Sequence, residues 1–220
     1  MLSLRPKWGK RAFVRRVAKN AKLLDVGCGN NSSLMMKSVR PDIYYVGLDI
    51  GDYHESETAK SCADKYILTT PEEFDAAING CGADTFDAVV SSHNLEHCNK
   101  PESVLLAMCR VLRPGGMLFL SFPSEASANF PSRHMTLNYH DDPTHNQSPP
   151  VWTDVLARLD EAGMEIVYAT QRDHPIVPLL IGLVCEPYCA LAKKNAPHGG
   201  TWALYGFQSL IWARKRQSQA

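Results

Sequence analysis

The sequence lacks an excess of either charge: 23 Lys and Arg balance 23 Asp and Glu over 220 residues, for a formal net charge of zero. That balance excludes a histone-like nucleic-acid binder and an acidic solvating protein, and 45% hydrophobic residues exclude a disordered tail. It also lacks any CxxC pair. The seven cysteines, at positions 28, 62, 81, 98, 109, 185 and 189, are odd in number and scattered, unlike a secreted disulfide scaffold, and reduced thiols in a cytosol are expected. The first 22 residues have no apolar central stretch of the kind a secretory signal needs. The most apolar window, 176–192, is shorter than the roughly 20 residues of a membrane span and contains Glu186, Pro178 and Pro187, so no transmembrane helix is expected. There is no internal repeat and no low-complexity segment.

What is present is an alternation of strands and helices. Phe13, Val14 and Val17 recur at helical spacing within residues 9–20, ahead of the apolar run LLDVG. A polar-capped segment, NNSSLMMKSV, leads to a second strand, IYYVGLDI. KYILTT at 65–70 reads as a third strand, followed by a helix from about Pro71 to Asn79 and a fourth strand, FDAVVSS. Pro101 opens a helix with Val104, Leu105, Met108, Val111 and Leu112 on one side, RPGG turns the chain, and MLFLSFP is a fifth strand. This order predicts a doubly wound α/β sheet, mostly parallel.

Residues 125–149 form a polar connection too long to be routine. Beyond it the pattern predicts an amphipathic helix from Val151 to Ala162, a strand at EIVYAT and a last strand at ALYGFQSLIWARK. The 175–192 stretch between those two strands is expected to be helical in parts and broken by its prolines.

The chemistry concentrates at the C-terminal ends of the strands. LLDVGCGNN places Gly27 and Gly29 after the first strand, where a backbone without Cβ atoms lets a ligand approach and the following helix start offers free N–H groups. Asp49 ends the second strand, 20 residues past Gly29, where a carboxylate can accept the two hydroxyls of an adenosine ribose. The plainer alternative is a tight turn at the glycines and a capping role for Asp49. A nicotinamide fingerprint would need a third glycine at position 32, which is Ser32.

Four segments, LLDVGCGNN, YVGLDI, FDAVVSSHNLEHCNKP and LRPGGMLFLSFP, together resemble the motifs of class I S-adenosylmethionine-dependent methyltransferases in order and spacing, over about residues 20–170. The likeness extends to type 11-like small-molecule members. It implies a Rossmann-like seven-stranded sheet with an antiparallel C-terminal strand, in one domain over 1–220 with a core of about 20–172 and acceptor-side insertions at about 125–149 and 175–192. It implies S-adenosyl-L-methionine held by the backbone of Gly27, Cys28 and Gly29, by Asp25 orienting that loop or meeting the amino group, by Asp49 at the ribose and by Ile50 on the adenine. Ser91, Ser92 and His93 would line the crevice. Asn31 replaces the third glycine of the family's DxGxGxG pattern, and Thr70 stands where an acid would follow the third strand.

Histidines are the natural bases for a methyl acceptor that holds a proton. His93 and His97 follow the fourth strand; His134, His140 and His145 lie in the polar connection. His145 matches a histidine that precedes the sixth-strand helix in small-molecule methyltransferases, and His97 and His145 are the candidate catalytic residues, at least one of them acting as base. His93, Glu96 and His97 also form an HxxEH pattern similar to the ExxEH element of some metal-dependent methyltransferases, although Glu-His is equally frequent here in members that need no metal; no metal ligand is assigned. SSHN stands where base-modifying enzymes carry an NPPY-like tetrapeptide, which argues against nucleic acid. The C-terminal block looks like that of surface-polysaccharide-modifying methyltransferases, more weakly, and with it come a small-molecule or sugar acceptor, room for peripheral membrane contact by 175–192, and room for a homodimer. The expectation is O-methylation in the cytoplasm, with a small-amine N-methyltransferase and a non-catalytic, cofactor-binding partner of an active homologue as alternatives.

Overall fold

The computed structural model describes residues 9–29, 31–51, 57–134, 136–145 and 147–217. Among them one sheet of seven strands runs in the order β3-β2-β1-β4-β5-β7-β6. β1 (Lys22–Val26), β2 (Tyr44–Asp49), β3 (Lys65–Leu68), β4 (Phe86–Ser92) and β5 (Leu112–Pro123) pair in parallel. β7 (Gln208–Lys215) enters antiparallel between β5 and β6 (Met164–Thr170). Strand order reverses beside β1, so the C-terminal ends of β1 and β4 diverge into the crevice where doubly wound sheets bind ligands.

Alternation along the central strands divides the core in two. Leu24, Val26, Val46, Leu48 and Val89 face α4 (Phe74–Gly80), α5 (Pro101–Val111) and α6 (Trp152–Glu161). Leu23, Tyr45, Ala88 and Val90 face the other way, with Phe13 and Val14 of α1 (Gly9–Val14) and Met36 of α2 (Ser32–Val39). Phe13 packs edge-on against Trp212 of β7 at 5.4 Å between ring centroids, so the first helix is held by the last strand.

The structure corrects several expected boundaries. α1 stops at Val14 instead of running to residue 20, because the Arg40 guanidinium takes the carbonyls of Val17 and Ala18 at 2.8 and 2.9 Å and Asn20 adopts a left-handed conformation. α3 (Glu57–Cys62), between β2 and β3, had no counterpart in the pattern. The RPGG segment is an irregular start of β5 instead of a separate turn: pairing slips between Phe86 opposite Leu112 and Ala88 opposite Met117. The 175–192 stretch is one helix, α7 (Ile176–Ala192), of 17 residues. Pro178 falls in its first turn, where no N–H partner is lost, and only Pro187 interrupts its ladder. ALY is helical too: α8 (Gly200–Tyr205) ends at Gly206, with φ of 65°, before β7 begins.

Candidate active site

The loop after β1 is shaped by its neighbours. Gly27 has φ of 72°, its N–H donates to Leu48 O at 2.9 Å, and a Cβ there would collide with the Asn94 side chain. That contact seats the segment after β4 against the glycine loop. The Cys28 side chain is buried under the sheet beside Gly47, so only its backbone belongs to the loop. Gly29 N–H donates to Asp49 Oδ2 at 2.8 Å, and Ile50 N–H donates to Asp49 Oδ1 at 2.7 Å.

Asp49 is therefore oriented from both sides, with the Gly51 amide as a third donor to its carboxylate. Burial pushes its carboxyl above the usual value, against the Gly29 and Ile50 hydrogen bonds, which favour the anion. α2 begins at Ser32, just after the glycine loop. A buried, pre-oriented carboxylate bonded to that loop fits a nucleoside with an amino-acid tail.

Asp25 serves the loop from below. Strand alternation turns its side chain to the α1 and α2 face, where it accepts from Ser32 Oγ at 2.5 Å, Tyr45 OH at 2.9 Å and Lys10 Nζ at 3.1 Å. Its oxygens are thereby committed to protein partners at the start of α2, on α1 and on β2. Lys10, Ser32 and Tyr45 were missed as its partners, since nothing local in the sequence links them.

Thr70 is exposed, and its hydroxyl accepts the Glu73 N–H in the turn before α4. The neighbouring Thr69 donates its N–H to Asp49 O. Ser91 is buried opposite Val26, and its hydroxyl has no partner among the described residues. Ser92 pairs with Ser121 at 2.9 Å.

The HxxEH residues do not share one helical face. His93 has φ of 51° and lies outside a three-residue helix, Leu95–His97, so its ring turns toward Trp202 and Phe207. Its Nδ1 meets Glu96 Oε1 at 3.2 Å and its Nε2 meets Gln208 Oε1 at 3.3 Å. Burial disfavours the charged ring, but the bond and charge of Glu96, together with Gln208, raise the His93 pKa above its ordinary value. Glu96 Oε2 is buried without a partner among the described residues.

The structure brings His97 and His145 together, with ring centroids 4.8 Å apart. Thr144 Oγ1 donates to Asp142 Oδ1 at 2.6 Å, so it must accept from His97 Nδ1, at 2.9 Å, which leaves His97 Nε2 with a free lone pair. His145 Nδ1 donates to Tyr139 O at 2.6 Å, and its ring stacks on Tyr139 at 4.1 Å. Burial works against the Asp142 anion, but the Thr144 hydroxyl and amide and the two imidazoles outweigh it and lower its pKa. Thr144 and Asp142 were not foreseen; the DDPTH string, with an Asp two residues before the Thr it bonds, was the available signal. A carboxylate oxygen of Glu96 and ring nitrogens of His97 and His145 lie within 4.8 Å of one another, a donor set that could hold a cation.

Comparison with known proteins agrees with this geometry. A family model described as a methyltransferase domain matches residues 6–169. The ubiquinone biosynthesis O-methyltransferase of Hahella chejuensis is 35% identical over 114 residues, 49% of this chain and 45% of that protein, so the chain spans under half the length of that curated relative. Among solved structures, the S-adenosylmethionine-dependent methyltransferase of Mesorhizobium loti superposes with a TM-score of 0.60 at 14% identity, covering 93% of this chain and 95% of that one. The 1,6-didemethyltoxoflavin-N1-methyltransferase of Burkholderia thailandensis superposes with a TM-score of 0.55 at 14% identity, covering 90% and 72%. With the matched family model spanning the glycine loop, Asp49, His97 and His145, the chain belongs to the class I S-adenosylmethionine-dependent methyltransferases.

Proposed function

We propose that this protein transfers a methyl group from S-adenosylmethionine to a hydroxyl oxygen of a small acceptor, sugars included, with His97 as the base. The observation that carries the reading is the chain from His97 Nδ1 through Thr144 Oγ1 to Asp142 Oδ1, which aims a lone pair from the segment that Asn94 seats against the glycine loop. The curated relative's name, ubiquinone biosynthesis O-methyltransferase, supports oxygen as the acceptor atom.

Asp49 would hold the ribose, the Gly27–Gly29 backbone and the start of α2 the amino-acid tail, and Ile50 the adenine. Bound there, S-adenosylmethionine supplies an electrophilic methyl group on a sulfonium. His97 Nε2 receives the hydroxyl proton as the acceptor oxygen becomes a nucleophile, while Thr144 and Asp142 keep the ring in the tautomer that can accept it. The residues of 125–149 that stack on and bond to these histidines supply the acceptor side.

The test is calorimetric binding of S-adenosylmethionine, followed by a screen with methyl-labelled cofactor against sugars, sugar phosphates, phenols and amines. Transfer to hydroxyl-bearing compounds is expected. Transfer to amines alone would assign N-methylation, and cofactor binding without transfer would assign a non-catalytic partner. A second reading has one observation in its favour: the unpartnered Glu96 oxygen beside the two histidines. Under it Glu96, His97 and His145 would hold a divalent cation, which would supply acidification of the acceptor hydroxyl; chelation would abolish turnover, and Glu96→Gln would be as damaging as His97→Ala. Under the base reading chelation leaves turnover intact.

A further inference from the structure

α7 carries the reverse of ordinary amphipathicity. Ile176, Val177, Leu180, Leu183, Val184, Tyr188 and Leu191 are all exposed, Val184 at 81% and Leu191 at 89%. At 100° per residue they fall, with Pro187 and Ala190, on one arc of about 160°, and that arc holds no charged or amide side chain. The inner face is the packed one: Gly182 sits against Gly200 of α8, and Glu186, the helix's one charged residue, is bound by Arg133 and Tyr205. Among the described residues nothing covers the arc.

The ends of the helix are basic. Arg172 precedes it and Lys193 and Lys194 follow it, all three exposed, and Asp173 is half-buried. Beside the C-terminal end, a depression of about 460 Å³ is lined by Ser132, Arg133, His134, Thr136, Asp141 and Lys193. Asp141 there is occupied by hydrogen bonds from Ser132 and from the Arg133 and Asn138 amides. A second copy of this helix fits such charges poorly: an antiparallel pair sets the lysines against Arg172, and a parallel pair sets lysine against lysine. An anionic surface meets cations at both ends and apolar side chains between them, as an interfacial helix requires.

We infer that α7 docks this protein on the surface of a bilayer containing anionic lipid, lying flat with its apolar arc in the boundary between headgroups and acyl chains. Its 17 residues make a contact about 25 Å long. No helix among the described residues is long and apolar enough to cross a membrane, so the contact is peripheral. Because Arg133 joins the polar connection to Glu186, docking brings the 125–149 connection close to the bilayer, behind α7. The inference does not depend on the acceptor or on His97.

The experiment is co-sedimentation of the full chain with vesicles of phosphatidylcholine alone or mixed with phosphatidylglycerol, alongside light scattering without lipid. The folded wild type should bind the mixed vesicles and bind phosphatidylcholine more weakly. Val184→Glu with Leu191→Glu, both in open solvent, should lower the partition at least tenfold with melting temperature and S-adenosylmethionine affinity unchanged. Lys193→Gln and Lys194→Gln should each lower it about fivefold. Absence of vesicle binding, equal binding to both lipids, unchanged binding by the Val184 and Leu191 double variant, or a solution dimer that this variant dissolves would each overturn the proposal.

Discussion

In the proposed cofactor site Asp49 is the side chain already oriented for a nucleoside, because Gly29 and Ile50 align its two oxygens. Its removal would cost the ribose two charge-assisted acceptors, so Asp49→Ala should weaken S-adenosylmethionine binding about tenfold to hundredfold by calorimetry, with the fold intact. Gly27 is constrained twice, by φ and by Asn94. Gly27→Ala should lower stability by about 1–3 kcal/mol in denaturant titration, and adding Asn94→Ala should restore only the share due to the collision, since the backbone strain remains. His97→Ala should reduce kcat by about 10²–10⁴-fold with cofactor affinity unchanged. Thr144→Val should act in the same direction by less, because it frees the ring without removing it.

At the level of elements, two contacts determine whether α7, α8 and the polar connection act as one cover. The first is the backbone approach of Gly182 to Gly200. A methyl group at Gly182 meets carbonyl oxygen instead of a yielding side chain, so Gly182→Ala should cost about 1–3 kcal/mol and lower the melting temperature. The second is the pair of Arg133, which is buried, with Glu186. The guanidinium holds the Glu186 carboxyl below its ordinary value, outweighing burial, and the Tyr205 hydroxyl adds to the effect. A carboxyl whose pKa is lowered by folding stabilises the fold fully above its unfolded value, near 4.5, and loses that contribution as pH falls through the lower folded value. Glu186→Gln should therefore flatten the acid limb of a stability-versus-pH curve while changing its alkaline limb little. Glu186→Ala, which leaves the buried cation without its partner, should cost about 3 kcal/mol or more at neutral pH.

On the scale of the whole molecule, strands, glycine loop and the acid after β2 were legible because each rests on a local rule: short apolar runs buried on both faces, the backbone freedom of glycine at φ of 72°, and a carboxylate at a strand's end. β4, over Phe86–Ser92, matches its predicted span residue for residue. What local pattern could not supply was the destination of side chains. Asp25 was legible as a loop residue but not as the partner of Lys10, Ser32 and Tyr45, which reach it from two helices and a neighbouring strand. That His97 and His145 lie on two loops bordering one crevice was legible, but their contact and the Thr144 and Asp142 chain that fixes the tautomer depend on how those loops meet. His93 was grouped with Glu96 and His97 by spacing alone, and a single left-handed residue sent its ring to α8. The apolar run at 176–192 announced a helix but not its outward arc, because a helix that is hydrophobic on most sides has no preferred inner face until Gly182 and Glu186 find Gly200 and Arg133. The sequence by itself determined the order of the elements and the glycine loop, through rules that act within a few residues; the surroundings of His97 and the exposed face of α7 were decided only by tertiary structure, because they depend on which distant groups occupy each side chain.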